Sequence, residues 1–324
     1  MAQTTLWYVN DIKFDELSKR LENNRFFENS DYYPGFEIEK ILNSQNSLES
    51  VGINSDIKFN VYEYSYSFSG QHSSSSRLTG TLILFEFNNK LGFIVDKAGY
   101  NNALSFLREL YKSNKKKTIV PAKYDDSIMN GSLFLWMISK IYNNDSTINY
   151  DIGEEKKTIT LNSLDGVKGK SRTGLNNVST QGSDVINMLT TLAFLLESER
   201  LTEVGLNISF DTHDSLQLEI KTHNRIISLD VKPEEYMGPL TNNELCQTNG
   251  KVNLVILRSI ILLTVHLSLI PMLYSLYKAD IAGTNVKDDL VSEISADMAN
   301  RLQRLKKETA DLEEKITSEN ELQK

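Results

Sequence analysis

The sequence contains few of the residues that build covalent cross-links and metal centres. Its 324 residues include one cysteine, Cys246, and four histidines. A single cysteine excludes an intrachain disulfide framework and any zinc or iron–sulfur site that needs several cysteines. Four histidines are also too few to suggest a His-rich metal centre. We therefore expect neither a metal nor another cofactor.

The chain also lacks an excess of basic charge and a basic, apolar leader. Its net charge is −8 and its pI is about 5.2, which disfavours a globally basic nucleic-acid-binding protein. Nucleic acid is a partner only if the chain has a local basic site that binds it, and it is not the favoured partner. The segment beginning Met1-Ala2-Gln3 has no basic stretch followed by an apolar one, so a cleaved secretory signal is not expected. We expect the protein in the cytoplasm or on the cytoplasmic side of the cell membrane.

What is present is the composition of a globular protein, with 40% hydrophobic and 24% charged residues. Aromatic and β-branched residues alternate with polar ones through Ile57–Phe68, which is typical of a strand with one buried face. Further strand and helix patterns alternate along the chain. They predict an α+β fold with two mixed sheet and helix regions, 1–145 and 146–250, followed by a long apolar helix, 251–279, and an amphipathic helix, 284–324.

The long apolar segment Val252–Tyr277 has two possible roles. As a helix it could cross a hydrocarbon core of about 30 Å, at about 1.5 Å per residue. If it inserts, His266 becomes a polar group at mid-membrane depth, and Arg258 lies near enough to one end to extend to the interface. The alternative is a core helix of a large soluble domain, which is also apolar all round. Pro271 is expected to kink the helix in either case.

The C-terminal segment has apolar residues at spacings of three, four and seven, and no glycine or proline follows Gly283. This pattern predicts one long amphipathic helix with a narrow apolar stripe. The stripe either packs on the protein's own body or binds a protein partner or a second copy as a coiled coil. It consists of Leu290, Ile294, Met298, Leu302, Leu305, Leu312 and Ile316.

A glycine-punctuated basic segment, GVKGKSRTGLNNVSTQGS at 166–183, is predicted to be a loop that leads into a helix. Free backbone N–H groups and the helix dipole favour an anion at such a place, either a lipid headgroup or a phosphate. The segment does not match the Walker pattern, and a solvated surface loop capped by Ser183 is the alternative interpretation. The candidate anion-binding residues are Lys168, Lys170, Arg172 and Ser183, extended by Lys115, Lys116 and Lys117.

Residues 211–235 carry a weak pattern for nucleic-acid cleavage. The order helix, three strands, helix and the sequence Asp230-Val231-Lys232 resemble the core of restriction-type PD-(D/E)xK nucleases. The resemblance implies that Asp214 or Glu219 joins Asp230 in holding Mg²⁺ and that Lys232 helps to position a water. No Pro-Asp pair precedes the strands, and Glu219 also fits the solvent-facing side of an alternating strand.

The overall layout resembles membrane effectors of prokaryotic antiviral defence, including those that accompany short Argonautes. That resemblance implies a membrane-associated effector or accessory protein that contacts anionic lipid through its basic segment and inserts its apolar helix. A soluble binding or scaffold module and a metal-dependent nuclease are the alternatives. Enzymatic activity is not the favoured interpretation.

Overall fold

A computed structural model describes residues 4–23, 33–44, 57–68, 76–96, 100–111, 119–124, 131–152, 154–171, 177–181, 186, 188–223, 226–280 and 286–322. The strands of its main sheet are β1 Thr4–Val9, β2 Glu37–Ser44, β3 Ile57–Phe68, β4 Ser76–Phe87, β5 Lys90–Asp96, β6 Ile119–Pro121, β7 Thr147–Ile152, β8 Glu155–Ser171, β9 Asn177–Gln181, β10 Ser198–Phe210, β11 His213–His223 and β12 Ile226–Val231. The short strands β13 Gln247–Thr248 and β14 Lys251–Val252 form a separate pair. The α-helices are α1 Phe14–Glu22, α2 Tyr100–Tyr111, α3 Ser132–Tyr142, α4 Leu189–Glu197, α5 Leu254–Thr264, α6 Ile270–Asp280 and α7 Val286–Leu322.

The twelve main strands form one antiparallel sheet with the order β2-β3-β4-β5-β1-β12-β11-β10-β8-β7. Strand β6 also pairs with β1, and β9 pairs with β8. The two halves meet where Thr4 and Thr5 of β1 lie opposite Leu229 and Ser228 of β12. The regions 1–145 and 146–250 therefore contribute strands to one continuous sheet.

The strands in the N-terminal half of the sheet carry apolar residues on both of their faces. Trp7, Leu82 and Phe93 belong to a buried cluster that includes apolar residues of α1 and α2. Phe59 and Phe85 point to the opposite face and join the larger core cluster. A sheet with both faces apolar needs a layer on each side, and α1 and α2 form one of them.

In the C-terminal half, one face of the sheet is apolar and the other is polar. Leu206, Leu218 and Leu229 point into the larger cluster, where they join the apolar residues of α3, α4, α5 and α6. The residues between them are mostly polar and half-buried. This is the pattern of an antiparallel sheet with one face on the core and one open to solvent.

The long apolar segment forms α5, a π-helical turn at Val265–Leu269 and α6. Asn253 caps α5 by accepting hydrogen bonds from the backbone N–H groups of Val255 and Ile256. The π-helical turn lies directly before Pro271, which lacks a backbone N–H and disturbs the regular helical hydrogen bonds. Helix 254–280 is the one described helix long and apolar enough to cross a membrane, and 67% of its most apolar window is buried within the protein.

The α+β fold is confirmed, and the predicted bounds of β3 agree with the structure. The expectation of one buried face for β3 is wrong, because Phe59 joins the larger core cluster and Tyr62 joins the smaller one on the opposite face. The basic loop predicted at 166–183 is wrong for its described residues, because 166–171 continue β8 and 177–181 form β9, which pairs with β8. Gly169 there allows close strand approach, since an added Cβ would lie 2.6 Å from the Arg200 carbonyl oxygen. The helix predicted from Ser183 begins at Leu189, with Met188 as its N-cap residue.

Candidate functional site

The open face of the C-terminal half of the sheet carries a row of facing charges. Glu203 of β10 lies opposite Lys221 of β11, and Glu219 of β11 lies opposite Asp230 of β12. Directly opposed residues in an antiparallel pair have Cβ atoms about 4.5–5.5 Å apart, so their side chains interact. Strand register, which brings distant residues together, therefore builds this cluster.

Glu203, Glu219 and Lys221 form the centre of the row. Lys221 Nζ lies 3.2 Å from Glu219 Oε2 and 3.5 Å from Glu203 Oε2. Burial and the hydrogen bond with Glu219 raise the pKa of Glu203. Burial acts in the same direction on Glu219, but the hydrogen bond with Glu203 and the charge of Lys221 bring its pKa below the ordinary value. Glu203 is therefore the carboxyl of this pair that takes up a proton first.

Arg258 on α5 holds two carboxylates that belong to different parts of the sheet. Its Nε donates to Asp96 Oδ2 at 2.8 Å, and its Nη2 donates to Asp230 Oδ1 at 2.8 Å. Its Nη1 donates to the backbone carbonyl of Val231. The Asp96 side chain is only 2% exposed, so Arg258 supplies the counter-charge of a buried carboxylate. Burial alone would lower the pKa of Arg258, but the two aspartates raise it, and the guanidinium remains charged.

His266 lies in the π-helical turn and contacts the first described strand. Its Nε2 is 3.2 Å from Thr4 Oγ1, and Thr4 Oγ1 donates to the Leu229 carbonyl. Burial lowers the pKa of His266 to about 3. The imidazole is therefore neutral at physiological pH, and it is packed inside the protein where β1 joins β12.

The described candidates for anion binding lie on a strand. Lys168 Nζ is 3.9 Å from Glu203 Oε2, so this lysine belongs to the charged row. Lys170 is exposed on β8 and lies opposite Arg200 of β10. The structure does not place either residue at a helix N-terminus. The other candidates, Lys115, Lys116, Lys117, Arg172 and Ser183, lie outside the described residues.

The candidate nuclease residues lie in the same half of the sheet, but their described ion pairs are with other residues and not with a shared site. Glu219 and Asp230 are cross-strand neighbours, but Asp230 binds Arg258 and Glu219 binds Lys221. Lys232 pairs with Glu235 at 3.0 Å. Asp214 is five residues from Glu219 along β11, about 16 Å at 3.3 Å per residue. In the described parts of the chain, no three His, Cys, Asp or Glu side chains group as a metal site.

Helix α7 leaves the body after its first turns. Leu290 and Ile294 are buried, and the Tyr142 hydroxyl donates to Asp297 Oδ2 at 3.0 Å. Every residue from 302 to 312 is exposed. Leu302, Leu305 and Leu312 are 50%, 49% and 59% exposed, respectively. The apolar stripe therefore continues beyond the part of the body that covers it, and it forms the largest exposed run of apolar residues on a described helix.

The sequence did not single out Asp96 or Glu203 as site residues. Asp96 ends an apolar strand and pairs with a residue 162 positions away. Glu203 is one of many polar residues that alternate with apolar ones. Neither position has a local signal, because both depend on strand register and helix packing.

A search of protein-family models finds none that matches this chain, and a search of curated proteins finds no significantly similar sequence. Function is therefore inferred from the geometry of these residues.

Proposed function

We propose that this protein is a soluble binding or scaffold module, in which α5 and α6 form the core and α7 presents an interaction surface. The contacts of Arg258 carry this proposal. Arg258 is the one residue of the segment Val252–Tyr277 with a full charge, and charged side chains are costly to place in a bilayer. In the folded protein it is paired with Asp96 and Asp230.

The remaining side chains of this segment support the same role. Leu257, Ile260 and Leu273 are each no more than 1% exposed and belong to the larger core cluster. Removing α5 and α6 into a membrane would expose the strands they cover and leave Asp96 without its counter-charge. Burial of apolar area contributes about 25 cal/mol per Å², so this loss would be large compared with a typical folding free energy.

Flotation on liposomes tests the proposal. The full-length protein, expressed and purified without detergent, is mixed with neutral and anionic vesicles at low and high salt. We expect it to remain at the bottom of the gradient with both lipids at high salt, and to be monodisperse by light scattering. Salt-resistant flotation, or a requirement for detergent, would contradict the proposal.

A membrane-associated effector is the second candidate, and one observation favours it. The helix at 254–280 has 27 residues, and the mean hydropathy of its most apolar 18-residue window is 2.1, so its length and composition are sufficient to span a bilayer. In that case the helix leaves the core when the protein is activated, and exposed basic residues such as Lys170 contact anionic headgroups. Salt-sensitive flotation on anionic vesicles alone would support a peripheral contact, and carbonate-resistant association would support insertion. A role in antiviral defence stays a prediction of the sequence layout.

A further inference from the structure

We infer that the exposed part of α7 pairs with the same helix of a second copy of this chain, in an antiparallel orientation. The inference deepens the proposed function, since it rests on α7 as an interaction surface and names its partner. The starting observation is the stripe of Leu302, Leu305 and Leu312, which is at least 49% exposed at each position. An amphipathic helix of this kind is stable in water when a partner covers its apolar stripe.

The spacing along α7 is that of a coiled coil. The apolar and neutral residues fall at alternating intervals of four and three, which defines the a and d positions of a heptad. Position a contains Leu302, Thr309 and Ile316, and position d contains Met298, Leu305 and Leu312. Helix α7 spans 37 residues, about 55 Å, so the part beyond the body is long enough for more than two heptads.

The charges that flank the stripe decide between the two orientations. In a parallel pair, each g residue faces the e residue five positions later in the partner helix. Arg301 would then face Lys306 of the second copy, and Glu308 would face Glu313. Both contacts join like charges, so the sequence disfavours parallel self-pairing.

In an antiparallel pair the flanking residues meet different partners, and the contacts join opposite charges. When Leu305 lies opposite Ile316 of the second copy, the e residue Lys306 faces the e residue Glu313. The g residue Glu308 then faces the g residue Lys315. Two-fold symmetry repeats both contacts, and the pair therefore contains four attractive contacts.

The position of the body fits this register. The two-fold axis passes between residues 310 and 311, so Leu322 at the end of the partner helix lies opposite residue 299, and the overlap begins just after Met298, which packs on its own core. The body-bound residues Leu290 and Ile294 lie outside the overlap and remain buried in their own chain. The two bodies are thus held at opposite ends of a shared helical pair, and each keeps its own core.

Multi-angle light scattering and sedimentation of the full chain test whether the pair forms. We expect a dimer at micromolar concentrations and a monomer for Leu305→Lys. Val291→Lys is the matched control, since residue 291 lies on the same helix before the exposed segment, and we expect it to remain dimeric. A parent protein that is soluble but monomeric would overturn the inference and leave the soluble-module proposal intact. Salt-resistant flotation on liposomes would overturn the proposal instead.

Charge exchange tests the register. Lys306→Glu places two acidic residues together in the antiparallel pair and is expected to weaken the dimer at low salt. Adding Glu313→Lys is expected to restore it. In a parallel pair, Lys306→Glu would relieve the repulsion with Arg301, so a tighter dimer in this single variant would overturn the antiparallel assignment.

Cysteine cross-linking tests the orientation directly. Leu302→Cys and Glu319→Cys proteins are prepared separately and then mixed under mild oxidation. In the antiparallel register residue 302 faces residue 319, so we expect cross-linking in the mixture and none in either protein alone. Cross-linking of Leu302→Cys with itself would indicate a parallel pair and overturn the inference. The parent protein is the control, because its Cys246 is fully buried.

Discussion

At the scale of single residues, Arg258 is expected to stabilise the fold strongly. It neutralises Asp96, whose side chain is almost inaccessible to solvent. Removing one partner of a buried ion pair leaves an uncompensated charge and costs about 3–5 kcal/mol. We expect Arg258→Ala to lower the free energy of unfolding by this amount in urea denaturation.

Arg20→Ala is the matched control for this substitution. Arg20 pairs with Glu16 at 2.6 Å, but both side chains are more than a third exposed. Exposed ion pairs contribute less than about 1 kcal/mol. Equal losses in the two variants would show that the Asp96 pair has no special role in holding α5 against the sheet.

His266 gives the protein a specific pH dependence. Burial lowers its pKa to about 3 in the folded protein, compared with about 6.5 in an unfolded chain. Its contribution to stability is therefore complete above pH 6.5 and is lost as the pH falls toward 3, because the unfolded state binds the proton more readily. We expect His266→Gln to show a shallower loss of stability between pH 7 and 5 than the parent, in urea titrations at each pH. Parallel curves would contradict a buried neutral imidazole.

At the scale of elements, the charged row on β10 and β11 gives stability the opposite pH dependence to that of His266. The pKa of Glu203 is raised in the folded protein, so its contribution is present at low pH and is lost as the pH rises through the folded pKa. Replacing it with a neutral amide removes this loss. We expect Glu203→Gln to melt at a higher temperature than the parent at pH 7, with the difference shrinking toward pH 4. Glu199→Gln, an exposed position on the same strand, should show no such trend.

Sequence patterns identified the elements whose signals are local. The signal of β3 comes from its own aromatic and β-branched residues, so its predicted bounds agree with the structure. Strand β2 was missed because Glu37–Ser44 mixes charged and apolar residues and lies at the edge of the sheet. The second half of β8 was missed because its glycines resemble those of a loop. Their role in close strand pairing depends on β10, which is distant in sequence.

The candidate site was less predictable for the same reason. Arg258 was recognised as a residue near one end of the apolar segment, but its partners Asp96 and Asp230 are 162 and 28 residues away. A pattern read along the chain cannot supply that pairing. The amphipathic helix α7 was predicted correctly, because the spacing of its apolar residues is a signal contained within one helix.

At the scale of the whole molecule, the continuous sheet and the shared core predict that both halves unfold together. Trp7 is buried in the N-terminal cluster and reports on that half, whereas Trp136 donates a hydrogen bond to Asp280 and packs on Tyr277 of α6. The comparison is therefore made in a Trp136→Phe background, where Trp7 is the chain's one remaining tryptophan. Leu206 is fully buried on β10, in the other half, and Leu→Ala at such a site costs about 2–5 kcal/mol. We expect Leu206→Ala to shift the unfolding midpoint measured by tryptophan fluorescence as much as the midpoint measured by far-UV circular dichroism. Leu254→Ala, at a position 49% exposed, is the matched control and should shift neither. An unchanged fluorescence midpoint beside a lowered dichroism midpoint would mean that the halves unfold independently, and that the β1–β12 junction and the packing of α5 across it do not couple them.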